Sequence, residues 1–307
     1  MTVQAQRWCE TPLLFGCEGE QLLGMLCRPD AAASRGTGVL IVVGGPQYRA
    51  GSHRQFTLWA RALACAGHAC LRFDARGMGD SSGAQRSFEN LGADVDAALD
   101  AFAAACPGLN RFVLCGLCDG ASAALLYLDE HRKRRIAGVI LLNPWVHQPQ
   151  APAQSRTLVK HYYLGRLLQR SFWLSVLRGR IGWTALRELG GHLARALGRA
   201  RPGTDVTRAD APLGYADRMA RGLGHWGGPT LLALSGEDLT AREFSEHAGA
   251  DPAWRSALER AGVERLDLPG ADHTLSKLSG RLALEAASVS WLDRLAVRGP
   301  TSLAASS

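Results

Sequence analysis

Apolar residues along this chain fall into short unbroken runs, separated by stretches in which they recur every three or four positions. Residues 22–27, 39–43 and 69–73 are such runs, and 111–115, 136–142, 230–234 and 263–268 supply later strands. Runs of this length, bounded by Gly or Asp, predict buried strands. Between them Phe56, Trp59, Ala60, Leu63 and Ala64, and then Val95, Leu99 and Phe102, keep helical spacing. Leu275, Leu278, Leu282, Val289 and Leu292 mark a closing helix. Repeated alternation of strand and helix predicts an α/β domain, a mostly parallel sheet with helices on both faces. Residues 13–27 are expected to form an antiparallel hairpin at one edge.

One long stretch breaks the rhythm, between the strand ending near Asn143 and the strand starting at Thr230. Some eighty residues without structure inside a compact domain would be anomalous, so an inserted helical lid is expected over 147–226. Leu186, Leu189, Leu193 and Leu197 share one helical face there, with Arg187, Arg195 and Arg199 off it. The organisation predicted is a core of 1–146 and 227–298, the lid 147–226, and a flexible tail 299–307. The lid carries thirteen Arg and Lys against four Asp and Glu, more positive than the whole chain at +7. With Tyr162, Tyr163, Phe172, Trp173 and Trp183 among these charges, three readings stand: a solvated face, a clamp for an anionic substrate, or a peripheral membrane contact. Nucleic-acid binding ranks below all three, because no nucleic-acid fold signature accompanies the basicity.

At 307 residues and 47% apolar, the chain can bury a full core. It opens with no apolar segment of the signal-peptide kind and contains no stretch of membrane-spanning length, so a cytoplasmic protein is expected. Eight cysteines show neither paired metal-site spacing nor the density of a disulfide framework, and most are expected to be reduced packing residues. No metal and no organic cofactor is implied.

The chemistry begins at Gly116-Leu117-Cys118-Asp119-Gly120, between the run 112–115 and the apolar stretch 121–128. This order predicts strand, sharp turn and helix with a thiol at the apex, a nucleophile elbow whose two glycines admit the tight approach. Cys115 reads as a small buried hydrophobe. Two later strands end in Ser235-Gly236-Glu237-Asp238 and in Gly270-Ala271-Asp272-His273. Working groups of open α/β sheets gather at the carboxyl ends of strands, so Cys118, Asp238 and His273 are expected to converge as nucleophile, acid and base. Glu237 and Asp272 are competing carboxylates, the second too close in sequence to His273. For an oxyanion site the expected donors are the backbone N–H groups of Asp119 and of Gly45, since Pro46 has none to give. A thiol beside an imidazole at a helix N-terminus is expected to be held as thiolate. His53 and Arg54 follow the glycine turn and are candidate substrate-binding residues or a helix entry. A dehalogenase or epoxide hydrolase would need Asp at the apex, and Asp119 comes one place too late.

Over nearly its whole length the chain resembles the α/β hydrolases, and residues 74–81 resemble that superfamily's D-x-R-G-x-G-x-S loop, read here as a structural turn. Gly44 to Tyr48, Gly51 to Phe56, Gly116 to Ser122 and Ser235 to Thr240 are together similar to the type 1 hydrolases associated with the exosortase A system. That group accompanies bacterial exopolysaccharide export and protein sorting. Cys replaces the usual Ser, as in dienelactone hydrolases, and Val43 stands where many relatives have His. The resemblance implies an α/β-hydrolase fold with a helical lid and a hydrolase of carboxylic esters or thioesters working through an acyl-cysteine. An acyltransferase with the same triad and a catalytically silent partner of the export machinery are the alternatives. The expected partner is an acyl-bearing small molecule, anionic in one reading, or a carrier-linked substrate.

Overall fold

The computed structural model describes residues 8–30, 34–45, 47–131, 136–146 and 213–297. Most of the expected lid, Pro46 and the expected tail lie outside the described residues. Eight strands form one sheet: β1 Trp8–Cys17, β2 Glu20–Pro29, β3 Thr37–Val42, β4 Cys70–Phe73, β5 Arg111–Leu117, β6 Ile136–Leu142, β7 Thr230–Ser235 and β8 Val263–Leu268. Their order is β1-β2-β4-β3-β5-β6-β7-β8. β1 and β2 pair antiparallel around the turn at Glu18 and Gly19, β2 joins β4 antiparallel, and every pairing from β4 through β8 is parallel. Adjacent parallel strands need crossover connections, and the helices between the runs supply them.

The described helices are α1 Gln55–Cys65, α2 Gly92–Ala105, α3 Asp119–Glu130, α4 Tyr215–Trp226, α5 Leu239–Ala250, α6 Pro252–Leu258 and α7 Leu278–Val297. Strand residues alternate between two cores. Leu40, Leu114, Leu141 and Leu232 pack with Phe102 of α2, Leu125 of α3, Met219 of α4, Phe244 of α5 and Trp254 of α6. Val39, Ile41, Val113, Ile140 and Leu231 pack with Phe56 and Trp59 of α1 and with Leu284 and Trp291 of α7. Both faces of the sheet are thereby covered, which is why inner strands such as β3, β6 and β7 read as apolar runs.

Two expectations shift. The insertion expected to end at Trp226 gives up its last part, because α4 belongs with the sheet and packs on α3. Gly222 approaches the backbone of Leu125 and Asp129 there, and Arg221 holds Asp129 through two bonds of 2.7 and 2.6 Å. The closing helix begins at Leu278 rather than Leu275. Leu275 instead adopts φ 54° in the loop after β8 and is buried against the core, so its apolar character serves the loop. Helices α5 and α6 carried too weak a periodicity to stand out in the sequence; α6 announces itself only through its Asp251 cap and Pro252.

Candidate active site

Strand β5 runs straight into α3 through one residue. Cys118 has φ 58° and ψ −125°, a conformation that costs a non-glycine residue about 1–3 kcal/mol and that lifts its side chain above the sheet. The turn is held by the Cys118 N–H donating to Leu142 O at 2.9 Å and by Ala121 N–H and Ser122 N–H returning to Cys118 O at 3.0 and 3.1 Å. Glycine is required on both sides. A Cβ at Gly116 would press into the backbone of Gly120, and one at Gly120 would press into the carbonyl of Val42.

The carboxylate and the imidazole meet. Asp238, buried after β7, accepts from His273 Nδ1 on its Oδ2 at 2.8 Å, while its Oδ1 takes the Thr240 N–H at 3.1 Å and so caps α5. Nδ1 being engaged, Nε2 is the ring nitrogen left for chemistry. The competing carboxylates are occupied elsewhere. Glu237 is exposed and pairs with Lys277 at 2.8 Å. Asp272 closes its own loop through the Ser276 and Thr274 N–H groups at 2.9 and 3.2 Å, and the Ser276 hydroxyl. Burial works to raise the Asp272 carboxyl, but these donors and the nearby His53 bring it below its ordinary value. That coupling puts His53 on the His273 side of the site. His53 and Arg54 are both exposed and both left-handed, at φ 53° and 60°, a strained pair at the entry to α1.

The thiol differs from expectation. Burial first, and then the Asp119 carboxylate with Asp238 behind it, push the Cys118 thiol well above its ordinary value, against the opposing pull of the Asp119 N–H. The helix N-terminus is therefore outweighed, and the surroundings favour the neutral thiol over the expected thiolate. Among the described residues it has no hydrogen bond to His273.

Several contributors carried little sequence signal. Arg49, five residues past Gly44, binds the fully buried Asp74 through its backbone N–H at 2.6 Å and its guanidinium, and reaches Asp80 at 2.7 Å. The loop read as a structural turn thus anchors the segment that follows Gly44 and Gly45. Asn143 is buried at φ 46°, donates to Ser235 Oγ at 3.0 Å and accepts the Ser235 N–H at 2.8 Å, bracing the ends of β6 and β7. Tyr215, which opens α4, is raised by burial and by Glu89, Glu243 and Cys118, so the start of α4 stands near the thiol. No three His, Cys, Asp or Glu side chains gather as metal ligands among the described residues. No helix among them is long and apolar enough to cross a membrane.

Comparison with known proteins agrees with this architecture. A family model described as serine aminopeptidase, S33, matches residues 37–185. The matched segment holds Cys118, not a serine, on the turn between β5 and α3. No curated protein matches the chain. Among solved structures, an esterase of Pyrococcus furiosus is similar with a TM-score of 0.62 at 16% identity, covering 96% of each chain. Est1E of Butyrivibrio proteoclasticus, with ferulic acid bound, gives 0.59 at 15% identity over 93% of this chain and 99% of that one. A dienelactone hydrolase of Anabaena variabilis gives 0.58 at 16% identity over 94% and 98%. The chain has the α/β-hydrolase fold.

Proposed function

We propose that this protein hydrolyses carboxylic esters or thioesters through an acyl-cysteine formed on Cys118. The observation that carries the reading is the 2.8 Å pair of buried Asp238 and half-buried His273 at the same sheet end as a cysteine held at φ 58° on a glycine-flanked turn. The fold shared with an esterase, a ferulate-binding enzyme and a dienelactone hydrolase supports acyl chemistry as the class.

With the thiol neutral at rest, His273 acts as general base in the attack itself. Nε2 takes the sulfur's proton as the S–C bond forms, and Asp238 stabilises the resulting imidazolium through Nδ1. Negative charge moves to the carbonyl oxygen, where the N–H groups of Asp119 and Gly45 are the donors in reach, typically worth about 3 kcal/mol each. His273 then passes its proton to the departing alcohol or thiol. Water, deprotonated by the same nitrogen, releases the acid and restores the thiol. A thioester substrate exchanges for an acyl-cysteine at little net cost, whereas an oxygen ester climbs to it, so thioesters are the favoured substrates. His53, near Asp272, and its exposed neighbour Arg54 suit an anionic portion of the substrate. The motifs similar to those of the exosortase A-associated type 1 group favour, in this reading, a substrate among compounds of bacterial export and sorting. The basic insertion is the surface that would meet a carrier or a membrane.

Incubation with acyl-thioesters of graded chain length, followed by intact mass spectrometry, tests the proposal. An acyl mass increment on the wild type, absent in Cys118→Ala, is expected with release of free acid. A product that forms only with an added alcohol or amine would make the enzyme a transferase. Acid release that survives Cys118→Ala would refute the acyl-cysteine.

A further inference from the structure

The residue after the nucleophile contributes more than its N–H. The Asp119 carboxyl folds back over the glycine turn after β3: a Cβ placed on Gly45 would lie 3.3 Å from both of its oxygens, and one on Gly44 would overlap Oδ1. Burial raises this carboxyl above its ordinary value, while the N–H groups of Gly45, Asp119 and Gly120 and the nearby His273 pull the other way. Its charge in turn bears on the Cys118 sulfur. The carboxyl therefore sits among the two donors assigned to the oxyanion, beside both the thiol and the imidazole. Side chains at a helix start ordinarily turn to solvent or cap the helix, and a carboxylate here resembles the very anion the site is built to receive.

We propose that the Asp119 carboxyl is the resting occupant of the oxyanion site, that a substrate carbonyl enters by displacing it, and that Asp119 thereby governs which acyl groups react. This deepens the acyl-cysteine reading and rests on it. In the acylation step the carbonyl oxygen takes over the N–H groups of Gly45 and Asp119, the S–C bond forms as the C=O π bond opens, and the sulfur's proton passes to His273. The displaced carboxylate stays in the same pocket, so an acyl group with an anion close to its carbonyl is repelled, while a neutral one, or one whose anion lies far out toward His53 and Arg54, is accepted.

Reversible hemithioacetal formation isolates this step from turnover. Cys118 is modified with methyl methanethiosulfonate, which has no carbonyl, and protection by butanal or by succinic semialdehyde is titrated in the full chain. Removal of the occupant in Asp119→Ala is expected to tighten protection at least about tenfold for butanal and more for succinic semialdehyde. Asp119→Asn keeps the shape and loses the charge; it is expected to lie between, and it carries the test if the alanine variant does not fold. Protection within twofold of wild type, or weaker, in the folded variants overturns the proposal, as does absence of protection in every protein. Because the assay needs no turnover, a protein that forms the adduct as expected yet releases no acid would refute the hydrolase reading alone.

Discussion

Replacing Asp238 by Asn separates its electrostatic role from its structural one. Asn retains an oxygen to accept the Thr240 N–H at the 3.1 Å cap, so α5 should start unchanged. What is lost is the charge 2.8 Å from His273 Nδ1. That charge matters only when the ring becomes imidazolium, which happens in the transition state. With charge centres about 4 Å apart and an effective dielectric constant near 20, the pair is worth about 4 kcal/mol. Since about 1.4 kcal/mol is a factor of ten in rate, kcat/KM should fall about 10³-fold, with little change in the unfolding midpoint. An Asn amide facing Nδ1 also favours the wrong tautomer, which acts in the same direction. The assay is release of thiol from a short acyl-thioester, with Glu237→Gln as the parallel control, because Glu237 is engaged with Lys277 at the surface. Loss of less than about tenfold in Asp238→Asn, or an equal loss in Glu237→Gln, would refute the assignment of the orienting carboxylate.

Cys118→Ser should keep the fold and lose at least about tenfold in turnover, since a hydroxyl needs more help from the base than a thiol; undiminished kcat would remove the sulfur from the chemistry. Gly120→Ala should cost about 3 kcal/mol in urea unfolding, because its methyl meets the Val42 carbonyl with no flexible neighbour to yield; an unchanged midpoint would mean the β3–α3 approach is looser than described. Glu10 bridges Arg72 of β4 and Arg61 of α1, each at 2.6 Å, and although burial raises its carboxyl, these partners bring it below the ordinary value. Glu10→Gln should therefore cost about 1–2 kcal/mol at neutral pH. A depressed native value means the contribution is complete above the unfolded carboxyl's range and disappears as pH falls through the native one, so the gap between wild type and variant should shrink steadily with acidification; a gap in denaturant titrations that stays constant from neutral to acid pH would contradict the ion-pair account.

The order of sheet and helices could be read from the sequence because strands buried on both faces leave unbroken apolar runs, as 136–142 does to the residue, whereas the edge strand 263–268 shows only alternating apolar positions. Cys118, Asp238 and His273 were legible for a related reason: each follows directly on such a run, and chain direction in a parallel sheet brings those ends to one side. Side-chain direction was not legible. Nothing in the order of residues says that the Asp119 carboxyl turns back over Gly45 rather than outward, where it adds to burial in raising the thiol. Arg49 was missed because its partner Asp74 lies on another loop, and only the closed fold joins them. Leu275 kept helical spacing with its successors, yet the loop carrying His273 needed an apolar anchor and took it.

The cross-brace between Asn143 and Ser235 has an evolutionary corollary. It ties two strand ends at the spot where the chain departs after β6, three residues upstream of Asp238 on the neighbouring strand. Insertions, deletions or wholesale exchange within 147–212, between β6 and α4, would leave that knot in place, so this stretch can drift among descendants of this protein while the Asp238–His273 pair is inherited intact.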